Sequence, residues 1–188
     1  MKIIGISGIP GSGKTTLARA LASACCNKFK NIELISEYAR QYIIQNKSID
    51  SIWEQLTITD KQIEWENSVS ESTEVLITDS PIYLGFLYAI DLVKFNNVKD
   101  IIAYNRLFEK LIKLNNRYDL IFHLESVISL VNDGVRCDQH LNDKWRTESS
   151  FILMSLFKIF NQKNIIVLKS DNLEERTRFC LEFMKDNL

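Results

Sequence analysis

The sequence predicts an α/β protein, a three-layer α/β/α sandwich built on a five-stranded parallel sheet. Three observations carry that expectation. Short apolar runs alternate along the chain with stretches of helical periodicity, which requires parallel strands joined by helical crossovers. The run Val75-Leu76-Ile77 is too continuously apolar for a strand with one wet face and suits a strand covered on both. The first strand also runs straight into GISGIPGSGKTTL (residues 5–17), where three glycines and a proline within seven positions separate it from a helix.

Taken in order, Lys2-Ile3-Ile4-Gly5-Ile6-Ser7 is the first strand, and Leu17, Ala20, Leu21 and Ala24 mark the first helix. Residues 31–36 form strand two, followed by a helix from Glu37 to about Gln45. Residues 51–71 form a long helix with Ile52, Leu56, Ile63 and Trp53 toward its apolar side. Residues 74–79 are strand three, and helices are expected over 81–95 and 98–115. Strand four covers 118–124. A polar stretch from 125 to 145 leads to a helix over 149–161, then strand five at 165–168 and a closing helix.

A chain of 188 residues, 46% hydrophobic and 25% charged, suits one domain over its whole length with a full core. The formal net charge of −1 gives no global attraction to nucleic acid or anionic membrane. No apolar stretch reaches the roughly 20 residues of a membrane span. The first strand begins at once, so a signal peptide is not expected. Cys25, Cys26, Cys137 and Cys180 lack metal-site spacing and read as reduced thiols of a cytoplasmic protein.

The pattern Gly8-x-x-x-x-Gly13-Lys14-Thr15, with strand before and helix after, fits a phosphate-binding loop. Gly8, Ile9, Pro10, Gly11, Ser12, Gly13, Lys14, Thr15 and Thr16 would cradle the phosphates of ATP. Lys14 is expected to stand in an open cleft and meet the β/γ-phosphates, while the Thr15 hydroxyl ligates Mg²⁺.

Ligands of parallel sheets bind at the carboxyl ends of the strands. Strand two ends in Ser36-Glu37-Tyr38-Ala39-Arg40 and strand three in Thr78-Asp79-Ser80-Pro81. Asp79 is expected to serve Mg²⁺ or the acceptor, with a helix cap as its competing role and Glu125 as the rival acid. Glu37 is a candidate general base, or a first-turn acid answering the helix dipole. Arg40, one turn on, grips a phosphate or sugar or pairs with Glu37. The segment from about 132 to 147 is expected to form a lid. There Arg136, and less firmly Arg146, neutralise charge in the transition state, with Lys144 behind them. His123, inside an apolar strand, reads as packed, and His140 as solvated. Trp53, Gln55, Gln62, Trp65 and Tyr88 lie on helices that could floor an acceptor pocket, with core packing the competing and commoner role for the aromatics.

GISGIPGSGKTTLARAL, SEYARQYI, ITDSP and VNDGVR, in this order over nearly the whole chain, resemble the nicotinamide riboside kinase-like P-loop kinases. These belong to a wider set of bacterial and phage P-loop NTPases related to nucleoside and nucleotide kinases. The resemblance implies a sheet ordered 2-3-1-4-5, roles for Glu37 and Asp79 at the acceptor hydroxyl and metal, and lid roles for Arg136 and Arg146. Asp79-Ser80-Pro81 departs from the Asp-Arg-Ser style of deoxynucleoside kinases, and no motif marks a nicotinamide ring.

The leading expectation is therefore a kinase passing the γ-phosphoryl group of Mg·ATP to a nucleoside or nucleoside monophosphate. Glu37, Tyr38, Arg40 and Asp79 would face that acceptor. A hydroxyl within DNA or RNA is the second acceptor class, disfavoured by the charge balance. A regulatory NTPase switch is the third reading. The oligomeric state, a homodimer included, stays open.

Overall fold

The computed structural model describes residues 1–26, 28–125 and 142–188. In chain order they form β1 (Lys2–Gly8), α1 (Lys14–Cys25), β2 (Ile32–Ile35), α2 (Tyr38–Asn46), α3 (Ile52–Asn67) and β3 (Val75–Thr78). Then follow α4 (Ile82–Leu92), α5 (Val98–Leu114), β4 (Leu120–Leu124), α6 (Asp143–Ile159), β5 (Ile165–Leu168) and α7 (Leu173–Asn187). The strands form one sheet in the order β2-β3-β1-β4-β5, every pairing parallel. This is the order the family resemblance implied.

The two-residue period of a strand sorts side chains to opposite faces, and β4 shows it. Leu120, Phe122 and Leu124 pack with Leu17 and Leu21 of α1 and Cys180 and Met184 of α7. Ile121 instead joins Leu56 of α3, Leu84 of α4, Leu107 of α5 and Leu153 of α6. So α1 and α7 cover one face and α3 to α6 the other. The centre of the sheet is buried on both, which is why β3 carries no polar alternation.

Helix starts follow their capping residues. Ser51 Oγ accepts from Glu54 N, while the Glu54 carboxylate accepts from the Ser51 hydroxyl and from Asp50 N, so serine and glutamate close the start of α3 between them. Asn97, Asn142 and Asn172 cap α5, α6 and α7. The Asn142 cap corrects the sequence reading, because α6 begins at Asp143 rather than Ser149. Its first turn is polar and shows no apolar period. It is held by Trp145, whose Nε1 donates to Asp91 at 2.7 Å and whose ring stacks on Tyr88. Residues 143–147 of the expected lid are thus helical, and 132–141 lie outside the described residues. The long helix also stops at Asn67 rather than 71. Trp53 is not on its apolar side: it is 36% exposed, with the Arg106 guanidinium over its ring.

Helices α3 and α4 cross closely at Gly85, where an added Cβ would stand 2.5 Å from Thr59 Oγ1. Gly85→Ala should therefore lower stability by about 1–3 kcal/mol despite the better helix propensity of alanine. Adding Thr59→Ala, which leaves only the Thr59 Cβ at 3.5 Å, should recover most of the loss. Urea unfolding of the two single variants and the double variant measures the coupling, and additive losses would exclude this contact.

Candidate active site

The loop after β1 takes its shape from two glycines. Gly11 and Gly13 have φ of 75° and 90°, left-handed values at which an L side chain is strained, and Gly13 is the residue before α1. The loop closes on itself where Ser12 N donates to Ile9 O at 3.2 Å. Gly8, Ile9 and Pro10 are buried, whereas Thr16 is exposed. Lys14 departs from expectation. It is only 7% exposed, and its Nζ donates to Ile9 O at 3.2 Å. The carbonyl of its own loop is one partner of the ammonium.

Thr15 Oγ1 donates to Asp79 Oδ2 at 2.6 Å. This links the first turn of α1 to the end of β3. Asp79 is 2% exposed, and burial raises its carboxyl to about pKa 6. Lys14 opposes the rise, Glu37 adds to it, and Thr15 and Arg40 oppose it. Asp79 does not cap α4, which starts from Pro81 without a side-chain cap. Its Oδ1 and the Ser12 hydroxyl are buried with no hydrogen-bond partner among the described residues. A hydroxyl and a carboxylate oxygen with spare lone pairs, beside a loop of inward N–H groups, form a hard-oxygen donor set suited to Mg²⁺ and a triphosphate. Glu125 lies exposed at the end of β4, apart from this pairing.

Glu37 is the cap-position residue of α2 and makes no capping bond with its side chain. It and Arg40 are half-buried, and both act on the Asp79 carboxyl, so the ends of β2 and β3 converge on the phosphate loop. The side chain of Tyr38 turns instead to Trp65, edge-on at 4.8 Å. Its backbone N–H donates to Gln62 Oε1 at 2.8 Å.

Behind Glu37 lies a narrow cleft walled by α3 and α4. Gln55, Gln62 and Tyr88 line it as expected. Trp53 and Trp65 are not among its lining residues; one lies under Arg106 and the other against Tyr38. Gln55 is 2% exposed, and its Oε1 has no partner among the described residues. Glu66, also lining the pocket, was missed by sequence reasoning. It is 1% exposed, bonded to Arg117 Nε at 2.7 Å, and burial raises its carboxyl against the pull of that arginine. The missed signal was spacing: Gln55, Thr59, Gln62 and Glu66 form a polar stripe at i, i+4, i+7 and i+11. Arg176 was missed too. From α7 it donates to Ser12 O at 3.1 Å, and nothing in its local sequence sets it apart.

Arg146 sits in the first turn of α6, paired with Asp143 at 3.2 Å. Lys144, in the same turn, lies 3.9 Å from Glu148. Arg136 lies outside the described residues, as do Cys137 and His140.

A glycine-rich loop between the central strand and its helix, with a threonine–aspartate pair at the sheet edge above it, defines a P-loop NTPase site. The profile of the AAA domain family matches residues 3–176, and the chain belongs to that family. No curated protein sequence matches the chain. Among solved structures, NadR in complex with NR superposes with a TM-score of 0.80 at 21% identity, covering 99% of this chain. NadR in complex with NAD and AMP-PNP gives 0.75 at 20%, again covering 99%. The chain spans about half the length of these NadR chains, 51% and 49%. Thymidylate kinase from Candida albicans gives 0.65 at 16%, covering 99% of this chain and 92% of that one. At such identities the likeness is one of fold. Among the described residues no helix is long and apolar enough to cross a membrane.

His123 is packed, as its strand suggested. Its Nδ1 lies 3.3 Å from Ser7 Oγ and its ring meets Phe157 edge-on. Burial, and then the charge of Lys14, lower its pKa from 6.5 to about 4. The unfolded chain takes up this proton at higher pH than the folded one. The contribution of neutral His123 is therefore complete above pH 6.5 and is lost as pH falls toward 4. Wild type should lose up to about 3 kcal/mol more than His123→Asn over that window. Urea unfolding at a series of pH values reads the difference, and parallel curves would rule it out.

Proposed function

We propose that the protein is a small-molecule kinase that transfers the γ-phosphoryl group of Mg·ATP to a hydroxyl of a nucleoside. One observation carries this reading. The charges of Glu37 and Arg40 act on Asp79 beside the phosphate loop, and Glu37 also lines a cleft with Gln55, whose amide oxygen has no partner among the described residues. A nucleotide switch needs the loop but no second pocket. The folds of NadR and thymidylate kinase support the class, and the NR and AMP-PNP in NadR structures support a nucleoside-like acceptor and ATP.

In this reading the loop N–H groups and Lys14 hold the β- and γ-phosphates, Lys14 leaving the Ile9 carbonyl to do so. Thr15 and Asp79 would hold Mg²⁺, which neutralises phosphate charge when bound. Glu37 accepts the proton of the attacking hydroxyl. Arg40 fixes the acceptor sugar, and Gln55 Oε1 takes an N–H of its ring. Arg136 and Arg146 are assigned to closing over the triphosphate, and the work is taken to occur in the cytoplasm. A monophosphate acceptor would place its phosphate on Arg40.

Labelled ATP offered separate pools of nucleosides, nucleoside monophosphates and oligonucleotides tests the proposal. Label should enter the nucleoside pool; label in oligonucleotides, or ATP loss without labelled acceptor, rejects it. Glu37→Gln should bind both substrates and lower kcat by about 10²- to 10⁴-fold with the melting temperature unchanged. An unaltered kcat removes Glu37 from the chemistry. Asp79→Asn should lower kcat and raise the Mg²⁺ concentration needed for half-maximal rate; an unchanged Mg²⁺ profile returns Asp79 to a structural role.

A further inference from the structure

Four hydrogen bonds, the middle two buried and the outer two partly so, run in line from Arg117 to the start of α2. Arg117 Nε donates to Glu66 Oε2 at 2.7 Å, and Thr78 Oγ1 donates to Glu66 Oε1 at 2.8 Å. Gln62 Nε2 donates to Thr78 Oγ1 at 3.3 Å, and Tyr38 N donates to Gln62 Oε1 at 2.8 Å. Glu66, Thr78 and Gln62 are 1%, 0% and 6% exposed, so bulk solvent competes weakly for these atoms.

The line has a direction. A hydroxyl carries one proton, and the Glu66 carboxylate, which can only accept, claims that of Thr78. The Thr78 oxygen is left to accept, so it must face the amino group of Gln62. The Gln62 carbonyl then has to point the other way, at the N–H of Tyr38. If the Thr78 proton were reversed, Gln62 would flip and set its amino group against that N–H, donor to donor. Tyr38 is the first residue of α2, and Glu37 precedes it in the cap position. We infer that Glu66 is a positioning residue: through Thr78 and Gln62 its charge fixes the start of α2 and holds the Glu37 carboxylate over Asp79. The inference rests on the role given to Glu37 above and extends it to an acid that touches no substrate.

Substitutions that reverse the direction test it. Glu66→Gln strands the Thr78 proton without an acceptor, or leaves one donor facing another at Arg117 or at Tyr38. Gln62→Glu makes two carboxylates compete for the Thr78 proton. Together, Gln62→Glu with Glu66→Gln satisfies every atom with the line reversed. Thr78 donates to residue 62 and accepts from residue 66, whose carbonyl takes Arg117. Each single variant should lose at least ten-fold in kcat with the KM for ATP within two-fold. The double variant should return to within three-fold of wild type. The Tyr38 amide resonance should move upfield in Glu66→Gln and come back in the double variant. A folded Glu66→Gln protein with wild-type kcat, an unmoved Tyr38 amide, or a double variant no better than the worse single overturns the inference. If Glu66→Gln does not fold, Thr78→Val breaks the same line isosterically. Lost kcat with intact ATP binding then supports it, and full kcat overturns it. Should wild type label no acceptor while the Tyr38 pattern holds, the kinase reading fails and the line stands.

Discussion

The hydrogen bond from Thr15 to Asp79 spans 64 residues of sequence and only 2.6 Å of space, and the site is arranged around it. It can form because β1 and β3 are neighbours in the sheet, with Gly5 level with Thr78, so both strands deliver their ends to the same edge. It also needs Gly13 in a left-handed conformation, which turns the chain sharply enough for α1 to start with Thr15 facing back toward β3. Replacing that turn by ordinary backbone would swing Thr15 away and leave a buried carboxylate without its donor. Asp79 then sits where burial disfavours its charge and Lys14 favours it. A group held between opposing influences responds strongly to whatever charge arrives beside it.

The second organising feature is the polar stripe of α3. A helix lying against a sheet and two other helices would ordinarily present only apolar residues there. Here Ile52 and Leu56 supply that packing, while Gln55, Thr59, Gln62 and Glu66 run beside them, nearly as deeply buried. Buried polar groups are tolerated when bonded, and those of Thr59, Gln62 and Glu66 are. Gln55 Oε1 breaks the rule, and it does so where a pocket opens.

What the sequence disclosed, and what it did not, divides along the range of the interactions. The loop, the strands and their parallel arrangement were legible because each rests on local chemistry: glycines at a turn, unbroken apolar runs, alternation with helices. The start of α6 was not, because its first turn is held by Trp145 on Asp91 and Tyr88, some 54 residues away in the chain. Lys14 was placed in an open cleft, since the motif says what it meets with phosphate bound and nothing of Ile9 O without it. Glu66, Arg117 and Arg176 are charges on or beside helices, and charges there are normally solvated. Only their partners, contributed by distant elements, reveal that Glu66 and Arg176 are buried and Arg117 partly so. That Glu37 and Asp79 stand at strand ends was legible because alternation with helices fixes where the strands stop.

Arg176 reaches across 164 residues to the Ser12 carbonyl, and with Ser170 O it clasps the loop from behind. The phosphate loop lies between β1 and α1, yet one of its braces arrives with α7, the last helix of the described fold. A nascent chain thus carries the motif long before it carries the finished cradle. The loop is not fully braced on the growing chain until α7 has emerged and docked. Completion of the cradle becomes a report that α7 has joined its face of the sheet.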